Sequence, residues 1–460
     1  MPYHILISLV WVFLQGTFAR AAWAVDLSSV TQNPDQLFFN ELVARVGCKN
    51  AATALAMPKG GYSQFTKTLS RLEQEGLRRA GRADRQYSWA EINQREFFDT
   101  NNIMAQCLRQ PSQRGQADGL TDLLLRAPNG LTILSLGGFG SQNVPTGSLV
   151  GALESWRAAQ PELFASGRVQ FERIECSKSF LSDESFCAQD MLSTINRIDA
   201  ASPNPGRNKY LLWGYSKGGT TALEMLRQNP ALRERTLAVV TIGSPVQGSL
   251  VLDYLSPALD RLPESGPLSN QINATIPGGI LPLIQLFTGG VSTTVQEELQ
   301  TIQEAREGAR TLTESYRAQY LARNFTPNKF VRIDGSKIPV FQIAGLFDPK
   351  LLHPLPILTI RGGKMVQVDG SSNVKDRKIA AAILTAGDHP ISDSCVALEE
   401  ALLPEAVSAA AGLDTHFLAF IRQDHLGLHF NSPRSFGSSI STDAAIVDAA
   451  LSTIAKRLSP

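Results

Sequence analysis

An α/β architecture is what this sequence predicts: a doubly wound, mostly parallel sheet with helices on both faces. Three observations carry that reading. Apolar runs of strand length recur along the chain, at LTILSL (131–136), KYLLWG (209–214), LAVVTIG (237–243) and IPVFQIAG (338–345). Helical patterns lie between them, so strand and helix alternate. Most positions in these runs are apolar, with few charges, which is what strands covered on both faces require.

The elements follow in order. LTILSL leads into GGFGS and then the helical LVGALESWRAAQ. RVQFERIE (168–175) alternates like a strand, and MLSTINRIDAA follows as a helix. KYLLWG precedes another helix, and LAVVTIG comes next. The rhythm breaks from 249 to 335. There an apolar stretch, IPGGILPLIQLFTGG (276–290), is bracketed by Gly pairs. Val295, Leu299, Ile302, Ala305, Ala309, Leu312, Tyr316 and Tyr320 then recur at three-four spacing, which predicts one long amphipathic helix. This stretch reads as a helical cap or lid inserted into the sheet domain, the alternative being a helical subdomain that merely packs on it. IPVFQIAG resumes the sheet, THFLAFI (415–421) is expected as its last strand, and a helix from Thr442 to Leu458 closes the chain.

Composition bounds the function. The chain has 460 residues, 43% hydrophobic and 18% charged, with a net charge of +1. That is ordinary globular material, and the balanced charge gives no reason to expect a nucleic-acid partner. Residues 1–24 read as a secretory signal peptide. A short apolar run, ILISLVWVFLQGTFA, ends in small residues, with Ala22 and Ala24 at the positions of an A-x-A cleavage site, although MPYH before it carries no Lys or Arg. The expected location is therefore periplasmic or extracellular. Residues 25–127 read as an N-terminal helical segment, and 128–460 as the α/β domain. Cysteine usage fits export. Cys176 and Cys187 flank a polar loop that a disulfide could close, and Cys48 with Cys107 would form a second pair, leaving Cys395 odd. The spacing alone fixes neither pairing. No Cys/His spacing suits zinc, and no metal or organic cofactor is expected.

The chemistry concentrates at Gly-Tyr-Ser-Lys-Gly (214–218). A G-x-S-x-G match alone is weak, but here a buried strand precedes it and a helix follows. The glycines allow a sharp turn that exposes the hydroxyl of Ser216, and the helix N-terminus aims backbone N–H groups at it. At this point the chain resembles the α/β-hydrolase superfamily, its lipase and esterase members in particular. The resemblance covers about residues 128 to 458. LGGFGS after the first strand looks like the oxyanion loop of lipases, with Gly137 where the usual His stands. TIGSPVQGS (241–249) looks like their G-S-P-x-x-G stretch, expected to pack the loop.

What the resemblance implies is a serine hydrolase acting on carboxylic esters of lipid or acyl type, with Ser216 as nucleophile. Backbone N–H groups of Phe139 and Lys217 would form the oxyanion hole. The order Ser, acid, His places the base after Ser216, among His353, His389, His416, His425 and His429. His425 falls in the loop after the last expected strand and is the first choice, ahead of His429 and His389. For the acid, Asp388 in GDHPISDS comes first, Asp348 after IPVFQIAG second, and Asp393 third. Transfer of the acyl group to an alcohol would use the same residues. A binding protein on a hydrolase scaffold is the reading from another class. The partners expected are a small-molecule or lipid ester and, through 276–290, a lipid surface touched transiently.

Overall fold

The computed structural model of the protein describes residues 35–55, 119–138, 157–158, 161–177, 184–202, 206–249, 252–253, 256, 302–345, 357–361, 364–368, 393, 396, 398–423, 425, 428 and 440–458. Within them the strands are β1 Leu131–Leu136, β2 Val169–Ile174, β3 Lys209–Tyr215, β4 Thr236–Ile242, β5 Ile338–Gly345, β6 Ile357–Arg361, β7 Lys364–Val368 and β8 Leu413–Ile421. Six form one sheet in the order β2-β1-β3-β4-β5-β8. Every pairing in it is parallel. β6 and β7 form a separate antiparallel hairpin. The sequence reading misses this hairpin, although two strand-like runs flank Gly362-Gly363, which is a hairpin signal.

β3 shows how sequence makes a central strand. Its side chains alternate between two cores: Leu211, Trp213 and Tyr215 enter one, Tyr210 and Leu212 the other. The first core is covered by α1 Gln36–Ala54, α2 Gly119–Arg126 and α11 Ile440–Arg457, through Phe38, Leu42, Leu123, Ile446, Leu451 and Ile454. The second is covered by α4 Glu184–Ala201, α5 Lys217–Gln228, α8 Glu314–Asn324 and α10 Glu405–Ala411, through Met191, Leu223, Leu226, Leu321 and Val407. The remaining described helices are α3 Pro161–Ala165, α6 Pro230–Arg235, α7 Ile302–Arg310 and α9 Leu398–Ala401. No described helix is long and apolar enough to cross a membrane.

Two sequence expectations change. The helix expected to run unbroken to Tyr320 is two helices, α7 and α8, turned at Thr311–Thr313. Thr313 caps α8, its Oγ1 accepting from the Tyr316 N–H at 3.3 Å. The carbonyl of Leu312 accepts from Ser249 N–H at 2.9 Å, so the bend is tied to the loop after β4. Leu312 stays buried, which is why the apolar periodicity runs straight across the break. In addition, Leu321, Phe325 and Phe330 sit in the second core, so the end of the 249–335 stretch belongs to the body of the domain. Residues 257–301, with the apolar segment 276–290, lie outside the described residues.

Of the N-terminal segment, α1 has a definite seat. Asp35 caps it, accepting from Leu37 and Phe38 N–H. At its far end Leu55 bridges Ile421, and Arg422 N–H donates to the Ala54 carbonyl at 2.9 Å. The helix therefore braces the end of β8 immediately before the loop that carries His425. Cys176 and Cys187 are joined in a disulfide with a Cα–Cα distance of 4.9 Å, and Cys48 is also disulfide-bonded.

Candidate active site

In the sheet order, β1 and β3 are neighbours whose onward connections run to opposite sides. Such a switch point opens a crevice beyond the carboxyl ends of the strands. β1 ends there in Gly137-Gly138, and β3 ends in the turn that carries Ser216. Ser216 has φ 51° and ψ −128°, a conformation that L-residues avoid and that costs about 1–3 kcal/mol. The turn is so tight that a Cβ on Gly218 would lie 2.2 Å from the Leu136 carbonyl oxygen, and one on Gly214 2.5 Å from the Gly219 Cα. The glycines expected from the motif are thus required by contact. The Ser216 side chain makes no cap bond to its own helix.

Its Oγ lies 2.9 Å from Nε2 of His425, whose Nδ1 lies 2.7 Å from Oδ2 of Asp393. A carboxylate accepts from Nδ1–H, which leaves Nε2 as acceptor for the serine hydroxyl. All three residues are buried. Asp393 is itself held by its backbone. Val396 N–H donates to Oδ1 at 2.7 Å, and the Asp393 N–H donates to the Val396 carbonyl at 3.1 Å. One carboxylate oxygen is thereby fixed and the other directed at the imidazole. Gly345, the last residue of β5, gives this carboxylate room: a Cβ there would lie 2.6 Å from the Cβ of Asp393.

The sequence-derived candidates sort as follows. Ser216 and His425 meet. The carboxylate on the imidazole is Asp393, the third choice. The preferred Asp388, with the alternative Asp348, lies outside the described residues. Among the described residues, Asp393 is the carboxylate within hydrogen-bond distance of Nδ1. His416 stands on β8, 3.0 Å from Asp414 and stacked on Phe341 with ring centroids 5.1 Å apart. His353, His389 and His429 are outside the described residues. So is Phe139. Lys217 is the first residue of α5, so its backbone N–H heads that helix, and its carbonyl accepts from the hydroxyls of Thr220 and Thr221. Ser244, in the G-S-P stretch, packs on Gly219, where an added Cβ would lie 2.1 Å from its Oγ. That stretch packs the loop, as expected.

A charged cluster unforeseen in the sequence underlies α5. Arg317 on α8 is fully buried, pairs with Glu184 at the start of α4, and donates from Nε to the Val246 carbonyl at 2.9 Å. Its guanidinium lies over the Tyr320 ring, 4.3 Å from the centroid, while the Tyr320 hydroxyl donates to Glu224 on α5. Burial raises the Glu184 carboxyl above its ordinary value, against the pull of Arg317 and Lys217. Burial also drives the Tyr320 phenol well above 10. Glu224 moves the other way. Burial raises it, but hydrogen bonds from Arg227, Tyr320 and Gln228 bring it below the usual value.

Six parallel strands with helices on both faces, and a serine in a strained strand-to-helix turn, make this an α/β-hydrolase fold. Solved structures of similar shape include a metagenomic carboxyl esterase (16% identity, TM-score 0.38, covering 86% of this chain and 90% of that one). The Staphylococcus hyicus lipase is 12% identical with a TM-score of 0.39, covering 71% of this chain and 96% of its own. A Bacillus licheniformis lipase in mature form is 14% identical with a TM-score of 0.31, covering 65% and 86%. No protein-family model matches the chain, and no curated protein matches it significantly.

Proposed function

We propose that this chain is an exported serine hydrolase that cleaves carboxylic esters, of lipid or acyl type, through an acyl-enzyme. The observation that carries the reading is the unbroken line from Ser216 Oγ through His425 to Asp393, with spacings of 2.9 and 2.7 Å. In the first step His425 Nε2 takes the hydroxyl proton as Oγ attacks the ester carbonyl carbon. Asp393 keeps the ring in the required tautomer and stabilises the imidazolium. Negative charge develops on the carbonyl oxygen, which the backbone N–H groups of Lys217 and Phe139 would bind, each worth about 3 kcal/mol. The alcohol leaves with the proton from His425. Water, deprotonated by the same imidazole, then attacks the acyl-enzyme and frees the acid.

Export is supported by the apolar leader and by the Cys176–Cys187 disulfide, a bond that persists in oxidising compartments. The segment 276–290 is the proposed contact with a lipid surface. A panel of p-nitrophenyl esters from short to long acyl chains tests the reading. Wild type should hydrolyse part of the series and Ser216→Ala none of it. Equal rates for the two proteins would refute it.

A further inference from the structure

His425 has four polar handles, and every one is occupied. Asp393 takes two of them: its carbonyl accepts from the His425 N–H at 2.7 Å, and its carboxylate takes Nδ1. The other two belong to consecutive residues of the nucleophile turn. Ser216 takes Nε2, and the Tyr215 hydroxyl donates to the His425 carbonyl at 2.6 Å. Side chains alternate along β3, so Tyr215 leaves the strand on the face opposite its neighbours and enters the first core. From there it reaches round to the histidine loop, whose Leu428 joins the same core. Its ring lies 5.3 Å from the imidazole, centroid to centroid. On its other side it backs the glycine turn after β1, where a Cβ on Gly138 would fall 3.1 Å from the ring and 2.8 Å from the Cβ of Ser216.

We infer that Tyr215 is a positioning residue for the proposed ester hydrolysis, on whose reading this inference rests. His425 arrives on a loop more than two hundred positions after Ser216, and two independently placed segments must hold a hydrogen-bond distance. A tether from the residue beside the nucleophile to the backbone of the base sets that distance locally. The loop cannot drift without breaking the bond, and the ring keeps the glycine turn in register with both.

The test is Tyr215→Phe, which keeps the ring and removes only the donor. Ser216 sites are titrated with a fluorophosphonate, and rates are expressed per titrated site, so that protein lost to misfolding does not enter. Tyr215→Phe should lower kcat about tenfold, less than the roughly 100-fold that a full 1 Å misplacement can cost, with KM within about twofold of wild type. The second-order rate of fluorophosphonate acylation should fall in parallel. A wild-type rate per site, or a loss explained wholly by fewer titratable sites, would overturn it. If wild-type Ser216 takes no fluorophosphonate, the hydrolase reading fails first and this inference with it.

Discussion

The two faces of the sheet are held by opposite uses of charge. On the face covered by α1 and α11, ion pairs flank an apolar layer, with Glu41 buried and its cationic partners part-exposed. Arg45 bonds Glu41, Asp448 and the Ser452 hydroxyl, while Lys456 bonds Glu41. On the face that carries α5, Arg317, Glu184 and Glu224 are inside the packed layer. The first arrangement staples the ends of the described chain together after apolar packing has done most of the stabilising. The second places unscreened charges beneath α5, where removing one partner leaves the other stranded. The contrast suggests where each face is vulnerable.

The largest effect is expected on the buried side. Arg317→Met leaves Glu184 without its partner in the interior and should cost about 3–5 kcal/mol, read as a lowered denaturant midpoint. A loss below about 1 kcal/mol would mean that the cluster is wetter than its burial implies. On the other face, Leu451→Ala removes a fully buried side chain from α11 and should cost about 2–5 kcal/mol by cavity formation. The smaller effect is electrostatic and has a defined sign. Burial raises Glu41, but bonds from Lys456 and Arg45 outweigh it and leave the carboxyl below its usual value. Its folded value being lowered, Glu41 contributes stability above the unfolded value of about 4.3, and that contribution is lost as pH falls through the folded value. Glu41→Gln should therefore flatten the acid limb of the stability profile. Glu184, raised by burial, has the reverse sign: its contribution is present at low pH and lost as pH rises through its folded value. An unchanged acid limb in Glu41→Gln would show that the α1–α11 pairs are solvated.

How much of this was legible follows from the same physics. β1 and β5 are read to the residue because a strand buried on both faces is mostly apolar and shows as a run of strand length. β8 is read two residues short, since Leu413 and Asp414 precede the apolar run. The elbow is legible because its glycines are forced by contacts of 2.2 and 2.5 Å. The acid was harder. Asp393 lies well beyond the end of β5 in sequence, with the β6–β7 hairpin between them, and an aspartate five positions earlier looks equally apt. Only the fold shows that Gly345 opens space for Asp393. The break between α7 and α8 escaped because Leu312 keeps the helical apolar rhythm through a turn, though a threonine placed to cap, Thr313, was there to be read. The Arg317 cluster is invisible to local pattern, since its members come from three helices.

The most direct test of the Ser216–His425–Asp393 relay compares two asparagine variants by kcat/KM on the ester that wild type hydrolyses best. Asp393→Asn should lose about 10⁴-fold by releasing the imidazole tautomer, while Asp388→Asn stays close to wild type. An active Asp393→Asn beside a crippled Asp388→Asn would contradict the account.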